Sequence, residues 1–542
     1  MARIHRFGLM LLAGASAAAL SGCDGANSVA SPGAGTVVVN PTPTPAPAPA
    51  PTPTPGDSYT AADFASNDGE GSSGITITPE EQLEIAESGD NVVTDGTSPL
   101  SGLLAANAAA SLPATDMSSV SSFFDSAKYM GALNGQSDTS FDGWTCTSTA
   151  ATFNSARACT DLPMAKPTTT PAASACPTQT TDAGVVNDFR ICTLPNQING
   201  NYTIPYVAGV IYRLSGLVQV GTDMGTTGQL SGTRGDLTIQ PGVVIASDSD
   251  NPNNDALLVN RGSQIHAVGT KDRPIIFTAG QNISTNGVNA ASQGLWGGVI
   301  LLGQAPTAVC ASGTGPNNAD GSSTTCENAI EGFADPHNYG GPDASDSSGE
   351  MRYVQINYSG IAIAPGNELQ SLTVGGVGSG TKIDHLQTYN SSDDGIEFFG
   401  GRLNLKYLAL IGADDDSLDT DNGWRGMIQY VVIAQKPGGS TDDSFAFEID
   451  SNGNEDLLPR QYGQVANVTV IHTSPSPAAL RIRGGADYHF YNMVVDTNVP
   501  CVNMIARENS QADRTTVRPA NPSLQDLGPP MFSSVYFACS GR

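Results

Sequence analysis

The chain has 542 residues and a formal net charge of −28, from 52 acidic against 24 basic side chains. Such an acidic surface repels nucleic acid and anionic membrane and leaves cations, cationic surfaces and neutral glycans as partners. Its 61 glycines point to many turns, and its 9 cysteines point to an oxidising compartment.

Residues 1–22 read as an export signal, with Arg3, His5 and Arg6 ahead of the apolar run 8–20. Leu20-Ser21-Gly22-Cys23 resembles a bacterial lipobox. That resemblance implies cleavage before Cys23, diacylation of its thiol, and a lipid as the only membrane anchor. Asp24, which comes next, resembles an inner-membrane retention signal used by some bacteria. No other stretch reaches the ~20 apolar residues that cross a bilayer. Alternating proline in 40–56 favours polyproline II and gives roughly 50 Å of reach. Residues 23–56 are therefore expected to form a lipidated tether.

Residues 57–200 are rich in Ser, Thr and Ala. Two short helices are expected, at 79–87 and 116–130, in a small disulfide-stapled unit that packs on or caps the first coil of the C-terminal repeats. Without Cys23, eight cysteines remain, an even number. Proximity in sequence pairs Cys146 with Cys159, Cys176 with Cys192, Cys310 with Cys326 and Cys501 with Cys539. The Cys310–Cys326 bridge would close a long loop and add ~3 kcal/mol in the chain-entropy model.

From 201 to 542 the chain repeats. Segment 383–401 aligns with 405–423, and both Asp394 to Asp416 and Gly401 to Gly423 span 22 residues. Apolar or β-branched residues sit two apart in each unit: Leu386/Thr388, Leu408/Leu410, Val431/Ile433, Val468/Val470 and Met493/Val495. A period of two is that of a strand, and the longer period is that of a solenoid. The prediction is an all-β, right-handed parallel β-helix, with coils ~4.8 Å apart and apolar ladders inside. His385, Tyr407, Tyr430, Asn467 and Asn492 fall in one column, read as a stacked turn. His472 and His489 lie in separate coils with no partner spacing. The end at Ser540-Gly541-Arg542 shows no amphipathic cap, so the last coil must be covered by another element or the chain must continue.

Acidic residues recur at one turn of successive coils: Asp393-Asp394, Asp414-Asp415-Asp416 and Asp442-Asp443. Stacked carboxylates repel, so something must offset them. Three chemistries fit. The first is a turn device, with Asp accepting backbone N–H bonds and Arg402, Arg425 or Lys406 as counter-charges. The second is a calcium site of hard oxygen ligands from adjacent coils. A second acidic loop, 339–350, offers Asp343, Asp346 and Glu350, with His337 beside it. The third is glycosidic-bond cleavage by Asp394, Asp415 and Asp416, with Arg481 or Arg483 as the basic partner. This order resembles that of polygalacturonases but lacks their Gly-His-Gly element and has Arg483 in place of lysine. Trp296 and Trp424 are read as core or, if exposed beside Tyr339, Tyr353 and Tyr358, as a sugar-stacking surface.

The strings LTIQPGVVI, VNRGSQIHAVGTKDRPIIFTAG, GLWGGVILLGQAP, YGGPDASDSSGEMRYVQINYSG, LTVGGVGSGTKIDHLQTYNSSDDGIEFFGG and GADDDSLDTDNGW lie between 237 and 424, within a likeness that covers about 206–485. Together they resemble exported bacterial right-handed β-helix proteins of pectate-lyase-like fold, many of them lipoproteins. The resemblance implies the fold and an envelope location, and supplies no catalytic residue. The expectation is a lipid-anchored envelope protein, outer-membrane and facing the surface or periplasm. It would bind a glycan, a cation or an envelope partner such as an outer-membrane protein. The alternative is a calcium-dependent polysaccharide lyase or glycoside hydrolase.

Overall fold

The computed structural model describes residues 86–95 and 112–539 apart from short internal breaks, among them 163–174, 314–322, 437–443 and 505–515. The export signal, Cys23, the proline tether and Asp442-Asp443 lie outside the described residues.

Two parallel sheets share one apolar interior. The longer stacks Phe189–Thr193, Val210–Arg213, Val244–Ala246, Ile275–Thr278, Gly349–Asn357, Lys382–Tyr389, Asn404–Ile411, Arg425–Ala434, Tyr462–His472, Asp487–Thr497 and Met531–Cys539. The second runs from Gln197–Ile198 to Val502–Met504. The stacking thus begins before residue 201. Leu386, Leu408, Val431, Val468, Met493 and Val535 are directly in register, and each is fully buried. That ladder is the unit of stability, because one coil alone cannot bury its inner face.

A third row, Gly200–Ile204, Gly235–Ile239 and Gln264–Val268, merges into the first half of Gly349–Asn357. From there each coil carries one long strand, bent at a single residue. Tyr353 (φ 51°), His385 (54°), Tyr407 (56°), Tyr430 (64°), Asn467 (54°), Asn492 (51°) and Ser534 (57°) all occupy the left-handed region. That conformation costs a non-glycine residue roughly 1–2 kcal/mol. Ring stacking offsets the cost, with centroids 4.3 Å apart for Tyr353–His385, 4.4 Å for His385–Tyr407 and 4.6 Å for Tyr407–Tyr430. The column read as a turn is this bend.

The N-terminal segment does not form the expected helix at 116–130, where a single 3-10 turn, Met117–Ser119, is found, and only its last part, Thr181–Val186, lies on the first coil. The 79–87 helix falls almost entirely outside the described residues. Instead, the described residues between 112 and 146 lie along the flank of the stack as a strap, from the coil of Asn492 to that of Gln387, doubling back from Gln429 to Thr469 on the way. Thr115 N–H donates to Asn492 Oδ1 (2.8 Å), Asp125 N–H to Gln429 Oε1 (2.8 Å), Ala132 N–H to Thr469 Oγ1 (3.0 Å) and Cys146 N–H to Gln387 Oε1 (2.9 Å). Outward Asn, Gln and Thr side chains thus satisfy a backbone that has no ladder of its own. Trp144 meets Tyr353 and His385 edge-on, and Phe141 packs on Tyr407.

The missing C-terminal cap comes from the other end of the chain, where Asp90–Asp95 pairs in parallel with Met531–Cys539. At the opposite end Thr181–Val186 pairs antiparallel with Phe189–Thr193. Four disulfides join the pairs that proximity suggested, with Cα separations of 5.5, 5.5, 5.1 and 5.6 Å in chain order. Among the described residues no helix is long and apolar enough to cross a membrane.

Candidate functional site

The acidic turns lie where the chain leaves a long strand and enters the second sheet. In that sheet Ile396, Phe398, Leu418, Phe447 and Ile449 point into the core, so their neighbours point out. Glu397, Asp419 and Glu448 are in register on this outer face, followed by Arg481. The stack therefore brings the turn carboxylates and the strand carboxylates onto one surface.

Two groups of three carboxylates converge there. Oxygens of Asp393, Asp394 and Asp415 lie within 4.8 Å of one another, and so do those of Asp394, Asp416 and Asp419. Asp394 Oδ1 accepts Asp416 N–H at 2.9 Å, and Asp416 Oδ1 accepts Phe445 N–H at 2.5 Å. These are the turn bonds expected of Asp. They use only part of the acceptor capacity, and Asp419 Oδ1 is buried with no hydrogen-bond partner. From a distant loop, Glu331 joins through Gln370 Nε2, which donates to Glu331 Oε1 (2.7 Å) and to Asp393 Oδ2 (3.4 Å).

The proposed counter-charges are elsewhere. Lys406 pairs with Asp125 of the strap at 2.8 Å, Arg402 donates to the Gly401 carbonyl at 2.6 Å, and Arg425 donates to Gln525 at 2.6 Å. Among the described residues no Lys or Arg forms an ion pair with Asp393, Asp394, Glu397, Asp416 or Asp419. Burial therefore pushes all five well above the usual carboxylate range, and the neighbouring carboxylates add to the effect. Burial likewise pushes Glu331 up to about 7.

Glu448 is the exception. Burial works to raise its pKa, but Arg483 and Arg481 outweigh burial and hold it low. Arg483 Nη2 lies 2.7 Å from Glu448 Oε1, and its Nε lies 3.1 Å from Asp450 Oδ2. Asp416 shares a hydrogen bond with Glu448 that raises the first and lowers the second, so the proton rests on Asp416. Carboxyls in hydrogen-bond contact are closer than the ~5 Å at which retaining glycosidases hold theirs. Arg483 is buried in its ion pairs, and a guanidinium so held makes a poor base.

The second acidic loop does not assemble. Asp343 accepts Ser345 N–H at 2.9 Å in a local turn, and Glu350 faces Arg352 at 3.8 Å. Asp346 is buried, its Oδ2 has no hydrogen-bond partner among the described residues, and its pKa is raised by burial to about 6. His337 packs edge-on against Phe333. Asp414 accepts Gln293 Nε2 at 2.7 Å, outside both triads. Trp296, Trp424, Tyr339 and Tyr358 are fully buried and form no sugar platform. Glu331, Glu397, Asp419 and Glu448 escaped the sequence reading. Glu397 and Asp419 are 22 apart, the coil period, and that was the available signal.

A model of the pectate-lyase-like β-helix domain matches residues 217–527, more than half of the chain. The chain belongs to this family. Comparison with curated proteins and with solved structures finds no match. In this β-helix the carboxylates fit a hard divalent cation. Calcium–oxygen bonds of 2.3–2.6 Å place two ligands of one ion at most about 5 Å apart. Each triad meets that limit, and the orphaned Asp419 oxygen offers a further lone pair.

Proposed function

We propose that this pectate-lyase-like β-helix is a lipid-anchored binding module of the cell envelope, acylated at Cys23, whose carboxylate face holds calcium. Through calcium it engages a glycan or an outer-membrane partner. The observation that carries this reading is the convergence of two carboxylate triads in which Asp393, Asp394, Asp416 and Asp419 form no ion pair with a Lys or Arg among the described residues. Taking several carboxylates out of water is costly unless a cation or protons compensate. A divalent ion replaces the protons, offsets much of the repulsion and offers its open coordination positions to ligand oxygens.

Isothermal titration of the full chain with calcium after chelation tests the reading directly. Saturable binding at low stoichiometry, lost in Asp394→Asn, is the expected result, and no calcium heat at neutral pH would refute it.

The family match favours a second reading, a calcium-dependent polysaccharide lyase or glycoside hydrolase. The Asp416–Glu448 pair has the divided protonation that acid–base chemistry needs. A polysaccharide panel assayed for reducing ends and unsaturated products, with and without calcium, separates the two. Turnover abolished in Asp416→Asn makes the protein an enzyme. Binding without turnover leaves it a module.

A further inference from the structure

A groove of about 380 Å³ opens on a different row of the stack, along the first halves of the long strands. Arg402, Asn404, Arg425, Tyr462 and Gln464 line it, and no carboxylate does. In a chain with 52 acidic and 24 basic residues, this groove holds two guanidiniums from successive coils.

Arg425 is the informative one. It is half-buried, in register with Tyr462, with its guanidinium 5.7 Å from the centre of that ring. Its Nη1 donates to Gln525 Oε1 at 2.6 Å, and among the described residues it forms no ion pair. The Nε and Nη2 edge has no protein acceptor among those residues. That edge presents two parallel N–H donors, the fork that matches both oxygens of one carboxylate. Burial lowers its pKa and outweighs the opposing pull of the Asp487 carboxylate, with which it forms no ion pair. Asn404 Oδ1 accepts Met427 N–H at 2.8 Å, which turns its amide nitrogen into a further donor for a ligand.

We propose that this groove binds a small organic carboxylate, held in bidentate fashion by Arg425 with Arg402 alongside. The size suits such a ligand, since small-molecule sites begin near ~300 Å³. The site is independent of the carboxylate face and of calcium.

The test is titration calorimetry of the full chain with glucuronate, after calcium has been stripped on a chelating resin so that no soluble polycarboxylate competes for the groove. Glucose serves as the uncharged control and sulfate as the tetrahedral anion. Glucuronate is expected to bind where glucose does not and more tightly than sulfate. Arg425→Gln should weaken binding by at least about tenfold, the loss expected from removing charge-assisted hydrogen bonds. Arg425→Lys keeps the charge and loses the fork, so it should fall in between. Should Arg425→Gln fail to fold, judged by circular dichroism and thermal midpoint, Arg425→Lys still reads the fork. No glucuronate heat with the wild-type chain, sulfate binding as tightly as glucuronate, or wild-type binding by Arg425→Lys would overturn the proposal. Because calcium is removed beforehand, failure here leaves the calcium reading untouched, and failure of calcium binding leaves this one standing.

Discussion

Thr115 and Asn492 exchange two hydrogen bonds across 377 residues of sequence: the Thr115 amide donates to Asn492 Oδ1 at 2.8 Å, and Asn492 Nδ2 donates to the Thr115 carbonyl at 2.9 Å. One side chain thus imitates the edge of a strand. One coil earlier Asn467 Nδ2 donates to the Tyr129 carbonyl at 2.9 Å and the Gly131 carbonyl at 3.3 Å, while its Oδ1 accepts Gln429 Nε2 at 3.0 Å. The strap is held to the stack by this column of amides.

Asn492→Ala should therefore destabilise the protein by about 1–3 kcal/mol, since it strands a buried amide and carbonyl and forces alanine into a left-handed bend. Asn492→Gly relieves the backbone and keeps only the loss of the clasp, so it should cost less. Urea unfolding of both variants separates the two effects. Equal losses would mean that the clasp alone matters, and no loss in either would mean that the strap hangs free of the stack.

The metal-free protein should lose stability as pH rises. Asp393, Asp394, Glu397, Asp416 and Asp419 have raised pKa values in the fold, and Glu331 is raised to about 7. In the unfolded chain these groups ionise near ~4. Between the two values the native state binds more protons than the unfolded one, so stability is full below about 4 and falls through neutral pH. Calcium binds the ionised form and should remove that fall. Thermal midpoints from pH 5 to 8, in chelator and in calcium, are the measurement. A flat profile in chelator would show that the carboxylates are compensated in some other way.

Asp394→Asn takes one member from both triads yet keeps an oxygen to accept the Asp416 amide. Its expected effect is on pH dependence more than on stability near pH 5. The slope of stability against pH in chelator should shrink by up to one proton, or about 1.4 kcal/mol per pH unit. The calcium-induced rise in thermal midpoint should vanish with it. A variant that keeps the full calcium response would place the ion elsewhere.

The repeat from 383 to 423 was legible because stacking demands the same residue class at the same place in each coil, as Leu386 and Leu408 illustrate. Asp393-Asp394 and Asp414-Asp415-Asp416 were legible for the same reason. Glu397, Asp419 and Glu448 were not. Each alternates with apolar neighbours, and an outward strand residue ordinarily means a solvated one. Here Glu397 and Glu448 are buried nonetheless, and Glu331 reaches Glu397 from a distant loop, which no local pattern announces. The strap was illegible because its partners are side-chain amides of Gln387, Gln429, Asn467 and Asn492, and such bonds impose no period on the strap itself.

Arg483 anchors the one ionised end of the acidic face. Its guanidinium holds Glu448 and Asp450, with side chains 3%, 7% and 5% exposed in that order. Arg483→Ala leaves two buried carboxylates facing Asp416 and Asp419 with one cation fewer, and should cost about 3–5 kcal/mol. Adding Glu448→Gln to that variant removes one of the stranded charges and should recover part of the loss, a coupling that a double-mutant cycle in urea measures. If Arg483 served catalysis alone, Arg483→Ala would abolish turnover and leave the unfolding midpoint where it was. A drop in midpoint that Glu448→Gln partly reverses assigns Arg483 to holding the site together.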